Sequence, residues 1–278
     1  MNLSEIIEGL NDKQHQSVTL DDQKNALILA GAGSGKTRVL THRIAYLVTQ
    51  KNIHIDAILA VTFTNKAAKE MRERLSMLLR RPIMSMWVGT FHGLAHRLLR
   101  THYEKAGLTS GFQILDAQDQ FRIVKRLMKE NNIDESKFPV RKVQWFINQQ
   151  KDEGIRAQDV NPGYNFFIKK SLEVFVLYEA HCRANDLIDF AELLVRSYEL
   201  LKNNTELLEH YQTRFSHILV DEFQDTNTVQ YKWIQQLFTG NNQVFCVGDD
   251  DQSIYGWRGA KIENITKLET DFAPIQTI

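Results

Sequence analysis

Five short apolar runs alternate with helical patterns along this sequence, and the alternation restricts the fold more than any other feature. Each run is bounded by polar turns; the runs are NALILA (25–30), AILAVTF (57–63), MWVGT (86–90), HILVDE (217–222) and QVFCVGD (243–249). Continuous apolar strands separated by helices are typical of a mostly parallel sheet with helices on both faces. We therefore predict an α/β fold.

The segment 109–203 breaks this rhythm. Its only strand pattern is FQIL, and its helical patterns are DAQDQFRIVKRLMKEN, VRKVQWFINQQKDEG and NFFIKKSLEVFVLYEAHCRAN. We predict a mainly helical insertion between the third and fourth strands of the sheet. The residues expected to cap helices in the whole chain are Asp116, Asn65, and either Thr226 or Asn227.

Composition says more about the cellular location of the protein than about its binding partner. Lys plus Arg equals Asp plus Glu at 34 each, so the net charge argues neither for nor against a nucleic-acid partner. Between Lys36 and Lys105, however, thirteen basic residues face four acidic ones. This excess fits either solvated helix faces or a surface for phosphates. No apolar run of ~18 residues and no leader pattern is present, which predicts a cytoplasmic protein without a membrane partner.

The two cysteines, Cys182 and Cys246, are isolated in the sequence. Their spacing matches neither a disulfide framework nor a metal site. We expect both to be small core residues in a reducing compartment.

The strongest chemical signal is AGAGSGKT at 30–37, which follows an apolar strand and opens a helix near Lys36. It fits G-x-x-x-x-G-K-[ST] except that Ala30 replaces the first glycine. Glycines let backbone N–H groups turn toward phosphate, and a helix N-terminus adds positive charge. We expect Lys36 to neutralise β- and γ-phosphates and Thr37 to offer its hydroxyl to Mg²⁺. The alternative is a glycine-rich turn without a ligand.

Two further strand ends carry acidic or amide groups. ILVDEFQD delivers Asp221 and Glu222, and QVFCVGDDDQ delivers Gln252. Ligands of such sheets bind at the carboxyl ends of the strands. We expect Asp221 to hold Mg²⁺, mostly through water, and Glu222 to orient or deprotonate the water that attacks the γ-phosphate. Gln252 is expected to bond that phosphate.

Aromatic residues follow Gln252 directly. Tyr255, Trp257 and Arg258 offer ring faces and a guanidinium beside the predicted nucleotide site. Stacking of an unpaired base on such a ring contributes ~1–3 kcal/mol for any base. We predict a single-strand contact here, with burial of Trp257 in the core as the alternative.

Seven ordered blocks make the chain resemble the N-terminal half of UvrD/Rep/PcrA-type superfamily 1 DNA helicases. They are LNDKQ (10–14), AGAGSGKT (30–37), TFTNKAAKEMRER (62–74), GTFHGLAHR (89–97), DFAELL (189–194), VDEFQDTN (220–227) and GDDDQSIYGWRGA (248–260). The family's phosphate loop carries alanine where the strict pattern has glycine. The resemblance implies a P-loop NTPase (RecA-like) sheet.

The resemblance also implies roles at matching positions. Gln14 is expected to read adenine, and the phosphate-loop contacts to ATP are expected from Ala32, Gly33, Ser34, Gly35, Lys36, Thr37 and Arg38. Single-strand contacts are expected from Phe63, Asn65, Thr90, Phe91, His92, Tyr255, Trp257 and Arg258. Gly93 stands where the family commonly has serine, so one hydroxyl contact is missing.

As a whole, the resemblance implies a motor domain 1A at 1–108 and 204–278, a helical insertion 1B at 109–203, and a second motor domain outside this sequence. It implies an ATP-dependent 3′–5′ DNA helicase of DNA repair, acting on single-stranded DNA and DNA junctions with repair proteins as possible partners. ATP and Mg²⁺ are the cofactors. A helicase subunit of a helicase-nuclease and a non-catalytic DNA-binding module are the alternatives.

Overall fold

The structure is a computed structural model that describes residues 3–31, 33–249 and 263–278. The chain forms two compact units. The first unit comprises Met1–Leu94, Asn204–Thr226 and Tyr231–Ile278, and the second comprises Ala95–Asn203 and Asn227–Gln230. The assignment of these units to a motor domain 1A and an insertion 1B stays a prediction.

The regular elements alternate along the chain much as the sequence predicts. The strands are β1 (Asn25–Leu29), β2 (Ile58–Thr62), β3 (Trp87–Thr90), β4 (Gln113–Leu115), β5 (Leu187–Asp189), β6 (His217–Val220), β7 (Gln243–Gly248) and β8 (Ile275–Thr277). The α-helices are α1 (Leu3–Ile7), α2 (Asp12–Val18), α3 (Lys36–Gln50), α4 (Asn65–Leu79), α5 (Phe91–Thr101), α6 (Ala117–Glu130), α7 (Val140–Asp152), α8 (Phe166–Ala184), α9 (Phe190–Lys202), α10 (Thr205–Arg214), α11 (Thr228–Leu237) and α12 (Glu263–Asp271).

The first unit contains a six-stranded sheet in the order β3-β2-β6-β7-β1-β8. Every neighbouring pair is parallel, which confirms the predicted sheet. All residues of β2, β6 and β7 are buried, because helices cover both faces, and this burial explains their continuous apolar sequence. Parallel pairing also brings the carboxyl ends of β1, β6 and β7 to one edge, at which Leu29 pairs with Gly248.

The second unit is mainly helical, as predicted. Helices α6, α7 and α8 enclose a core of buried apolar side chains that includes Val143, Phe175 and Cys182. The short strands β4 and β5 pair in parallel beside them. The sequence predicted β4 from FQIL but missed β5, because LID ends in a charged residue and forms no apolar run. None of the helices among the described residues has both the length and the apolar character needed to cross a bilayer.

Two of the three predicted caps are confirmed and one is wrong. Asp116 accepts bonds from the N–H groups of α6. Asn227 and the third residue of its helix, Gln230, bond reciprocally at 2.9 and 3.0 Å. At α4 the cap is Thr64, whose hydroxyl accepts from Ala67 N at 3.1 Å in extended backbone. Asn65 is therefore the first residue of that helix rather than its cap.

The DFAELL block centres on a buried carboxylate in the second unit. Asp189 caps α9 by accepting from Glu192 N at 2.7 Å, and its other oxygen accepts from Lys151 Nζ and the Tyr178 hydroxyl, both at 2.7 Å. Burial opposes the charged form of Lys151, but Asp189 and Glu192 outweigh burial and raise the pKa of Lys151. The block therefore ties α7, α8 and α9 together through charge.

Replacing Lys151 with methionine tests this buried pair. The change leaves the buried Asp189 carboxylate without its cation, whereas Glu192 keeps Arg156 and Arg196. Because an uncompensated buried charge is costly, we expect the free energy of unfolding to fall by ~3–5 kcal/mol. Urea denaturation followed by circular dichroism measures the loss. Lys142→Met on the exposed face of the same helix is the control and should cost less than ~0.5 kcal/mol. Equal stability of the two variants would contradict the role of Lys151.

Candidate functional site

The glycine-rich loop lies between β1 and α3. Gly33 and Gly35 have left-handed backbone angles, with φ of 72° and 86°, and a Cβ on Gly35 would lie 3.0 Å from Gln14 Nε2. Ala30, in contrast, extends the sheet, because its N–H donates to Gly248 O at 2.9 Å. Ala30 is not among the left-handed residues, so an alanine fits where the strict motif has glycine.

Lys36 begins α3 and is 8% exposed. Its Nζ donates to Ala30 O at 3.0 Å and lies 3.4 Å from Asp249 Oδ2 and 3.8 Å from Glu222 Oε2. The lysine is therefore held between two carboxylates at the carboxyl edge of the sheet. The sequence predicted Lys36 and Glu222 but assigned no role to Asp249, although Asp249 stands first in the acidic run after β7.

Thr37 and Asp221 meet directly. Thr37 Oγ1 donates to Asp221 Oδ2 at 3.1 Å, and Asp221 Oδ1 accepts from the N–H of Glu222. Glu222 adopts a left-handed backbone with φ 48° and ψ 48°, which is uncommon for a residue with a side chain. Such strain persists only where the surrounding structure enforces it, and it is concentrated at functional sites. The two residues predicted to bind Mg²⁺ thus lie side by side.

Among the described residues, the site holds more negative than positive charge. Burial, followed by the neighbouring Glu222, raises the pKa of Asp221 to about 6. The same causes raise the pKa of Asp225, a residue that the sequence analysis did not assign, to about 7. Asp225 stands four residues after Asp221 in the VDEFQDTN block, so its position in the motif was the available signal. A divalent cation would relieve this repulsion between carboxylates.

Two buried polar atoms give an independent test of whether a triphosphate and Mg²⁺ fit here. Ser34 Oγ in the glycine-rich loop and Asp225 Oδ1 have no hydrogen-bond partner among the described residues. Buried polar atoms are normally paired, so such exceptions indicate a missing ligand or water. The same part of the chain contains no group of three or more His, Cys, Asp or Glu that could enclose a metal. Mg²⁺ is usually bound by few carboxylates together with phosphates and water, and the adjacent Thr37 hydroxyl and Asp221 carboxylate are such donors.

Gln14 contacts the loop rather than open solvent. Its Nε2 donates to Ser34 O at 2.8 Å, and its Oε1 accepts from Asn11 N at 3.1 Å. Among the described residues this leaves the amide one N–H and one oxygen lone pair, which is the pair that an adenine edge needs. Arg38 is exposed and donates to Glu8 O at 3.1 Å.

The residues predicted to contact DNA follow β2 and β3. Phe63 is partly exposed and packs edge-on against Phe91, with ring centroids 5.4 Å apart. Asn65 is exposed, His92 is partly exposed, and Thr90 Oγ1 accepts from Gly93 N at 3.1 Å. Phe91 is only 1% exposed, so a base cannot stack on its ring in this conformation. We therefore revise its role to support of Phe63.

Five predicted site residues lie outside the described residues. They are Ala32, Gln252, Tyr255, Trp257 and Arg258. Their predicted roles stand on the sequence alone.

Among parallel α/β folds, a glycine-rich loop that joins a strand to a helix beginning at lysine marks the P-loop nucleotide-binding class, and this chain has that arrangement. The chain belongs to the UvrD/REP helicase N-terminal domain family, whose family profile matches residues 10–273.

Curated relatives agree with this family. The chain is 53% identical to DNA helicase II of Haemophilus influenzae over 98% of its length, and 52% identical to DNA helicase II of Escherichia coli over 100%. It is 40% identical to ATP-dependent DNA helicase PcrA of Bacillus subtilis over 97% of its length. The chain spans 38%, 38% and 36% of these relatives' own lengths.

The raised pKa of Asp225 predicts how stability depends on pH. Because its pKa is about 7 in the fold, above the ordinary aspartate value of 3.8, the folded state binds the proton more tightly than the unfolded chain, and stability falls as pH rises across that range. Asp225→Asn removes the contribution of Asp225, while the contributions of Asp221 and Asp152, whose pKa values are also raised, remain. We expect the variant to melt at least ~2 °C higher than wild type at pH 8 without nucleotide, with a smaller difference at pH 5. Asp159→Asn, at an exposed carboxylate, is the control, and a gain for Asp225→Asn that is independent of pH would contradict the assignment.

Proposed function

We propose that the carboxyl edge of the sheet in the first unit binds Mg²⁺·ATP and hydrolyses it. The observation that carries this proposal is the contact of Thr37 with Asp221 beside Lys36 and Glu222. Lys36 binds the β- and γ-phosphates, while Thr37 and Asp221 hold the metal, Asp221 mostly through water. Glu222, which is partly exposed, orients or deprotonates the attacking water.

The charges of the site support this division of roles. Bound Mg²⁺ supplies positive charge that neutralises the phosphates. Lys36, which now faces Asp249 and Glu222, can turn its Nζ to a phosphate oxygen without leaving the loop. The first N–H groups of α3 have no partner within the helix and are available to the phosphates. Gly33, Ser34, Gly35 and Arg38 surround that position in sequence, and Gln14 would contact adenine.

We further propose that the carboxyl ends of β2 and β3 form a single-strand DNA surface. Phe63 supplies the ring, Phe91 supports it, and Asn65, Thr90 and His92 supply polar contacts. The exposed N-terminus of α4 also carries Lys66, and helix N-termini with basic side chains are frequent phosphate contacts. From the sequence, Tyr255, Trp257 and Arg258 would extend this surface and Gln252 would contact the γ-phosphate.

For the complete gene product that contains this sequence, we propose an ATP-dependent 3′–5′ DNA helicase of DNA repair that works in the cytoplasm on single-stranded DNA and DNA junctions. Support comes from the relatives, which are named DNA helicase II and ATP-dependent DNA helicase PcrA. In this arrangement ATP binds after β1, β6 and β7 and DNA binds after β2 and β3, all at the carboxyl edge of one sheet, so hydrolysis can change the affinity for DNA.

Replacing Lys36 and Glu222 separates binding from chemistry. Lys36→Ala removes a charged donor, so we expect ATP affinity to fall ~10-fold or more. Glu222→Gln keeps the phosphate contacts, so affinity should stay within ~3-fold while the hydrolysis rate of the complete gene product falls ~10²-fold or more. Fluorescent ATP titration and phosphate release measure the two quantities. Lys24→Ala, before the amino end of β1, is the control. Unchanged hydrolysis in Glu222→Gln would refute the proposed base.

Salt dependence tests the DNA surface. Neutralised phosphates release counterions, so we expect affinity for a labelled oligo-dT strand to fall ~10-fold or more between 50 and 200 mM salt. Lys66→Gln should weaken binding and flatten this dependence, because one phosphate contact is lost. Lys24→Gln, at the opposite edge of the sheet, should change neither. Fluorescence anisotropy gives the affinities, and a salt-independent affinity would argue against the proposed surface.

A further inference from the structure

The side chain of Gln224 lies inside the proposed nucleotide site, although the sequence patterns assigned no role to Gln224. It is 2% exposed. Its Nε2 donates to Glu222 Oε2 at 2.9 Å, and its Oε1 accepts from the backbone N–H of Asp249 at 3.0 Å. One buried amide therefore joins the ends of β6 and β7.

The orientation of this amide is fixed by its partners. A backbone N–H can only donate, so the amide oxygen must face Asp249 and the amide nitrogen must face Glu222. Gly248 provides the space, since a Cβ there would lie 2.9 Å from Gln224 Oε1 and 3.6 Å from Gln224 N. The glycine at the end of β7 and the glutamine after β6 thus fit each other.

Gln224 links the two acidic residues that face Lys36. Glu222 and Asp249 are the two carboxylates that face Lys36 Nζ, at 3.8 and 3.4 Å, and Gln224 bonds to both residues. When a phosphate takes over the charge of Lys36, each carboxylate loses its cation. The bonds to Gln224 do not involve Lys36 and so remain.

We infer that Gln224 is a positioning residue that holds the Glu222 carboxylate in its hydrolytic orientation once nucleotide has engaged Lys36. The inference rests on the proposed function, in which Glu222 orients the attacking water. Without the amide, the partly exposed Glu222 carboxylate loses the neutral donor that fixes its rotation and is free to turn into solvent. Hydrolysis is then slowed because the Glu222 carboxylate no longer holds the attacking water in position. ATP binding is unaffected, because the glycine-rich loop, Lys36 and the metal ligands are unchanged.

Gln224→Met is the main test, because methionine has a similar length and neither donates nor accepts strongly at this site. In the complete gene product we expect the maximal rate of ATP hydrolysis to fall ~10- to 100-fold, with the KM for ATP and the affinity for ATP within ~3-fold of wild type. Gly248→Ala, which pushes on the amide oxygen, should lower the maximal rate in the same direction. Gln243→Met, a buried glutamine at the amino end of β7, is the matched control and should leave the rate unchanged.

A double-mutant cycle distinguishes positioning from general destabilisation. If Gln224 acts through Glu222, Gln224→Met should lower the rate no further in a Glu222→Gln background. Melting temperatures identify any variant that has lost its fold, and the cycle is then made with Gln224→Leu. Leucine has a similar size, adds no charge and cannot donate to Glu222, so the same loss of rate is expected.

The outcomes separate the two levels of the proposal. Absence of ATP hydrolysis by wild type, or full activity of Glu222→Gln, would overturn the proposed function itself. Normal hydrolysis by wild type that is lost in Glu222→Gln but kept in a folded Gln224→Met would overturn only the positioning role. Additive losses in the double variant, or a fall in ATP affinity that matches the fall in rate, would also overturn it.

Discussion

The site depends on one constraint, which is that Lys36 is buried among carboxylates at the carboxyl edge of a parallel sheet. Parallel strands bring their carboxyl ends to the same edge of the sheet. Three segments far apart in sequence therefore place a carboxylate oxygen of Glu222 and one of Asp249 at 3.8 and 3.4 Å from Lys36 Nζ. A buried ammonium without these partners would be costly. The glycine-rich loop completes the arrangement, because its left-handed residues let the backbone turn around the lysine.

The proposed nucleotide site of the first unit and the buried hub of the second unit, formed by Lys151, Arg156 and their carboxylate partners, use charge in different ways. At the hub, Lys151 contacts Asp189 and Glu192, and the guanidinium of Arg156 bonds Glu179, Glu192 and Glu199. Those charges satisfy one another and stabilise the packing of helices. At the proposed nucleotide site, in contrast, the described carboxylates outnumber the lysine, the pKa of Asp221 is raised to about 6, and Glu222 is strained. Unbalanced charge and strain of this kind indicate a place prepared for a ligand that brings its own charge.

Several features of the fold and site were predictable from local sequence. The continuous apolar runs predicted the strands of the sheet other than β8, and the block AGAGSGKT predicted the loop, Lys36 and Thr37. β5 and β8 were missed because their sequences, LID and IQT, contain polar residues and so form no apolar run of the kind that marked β4 in FQIL. The cap of α4 was displaced by one residue because both Thr64 and Asn65 are good caps and only backbone angles choose between them.

The sequence alone determined the class of chemistry, since residue types and spacing within one strand, loop and helix suffice to specify a phosphate loop and an acidic strand end. Only the tertiary structure decided which side chains share the site. It brought Gln224, Asp225 and Asp249 to the lysine and buried Phe91 beneath Phe63, because these relations depend on strand order and packing rather than on neighbours in the chain. A motif therefore fixes what a residue can do chemically, and the order of strands in the sheet fixes with which partner it does so.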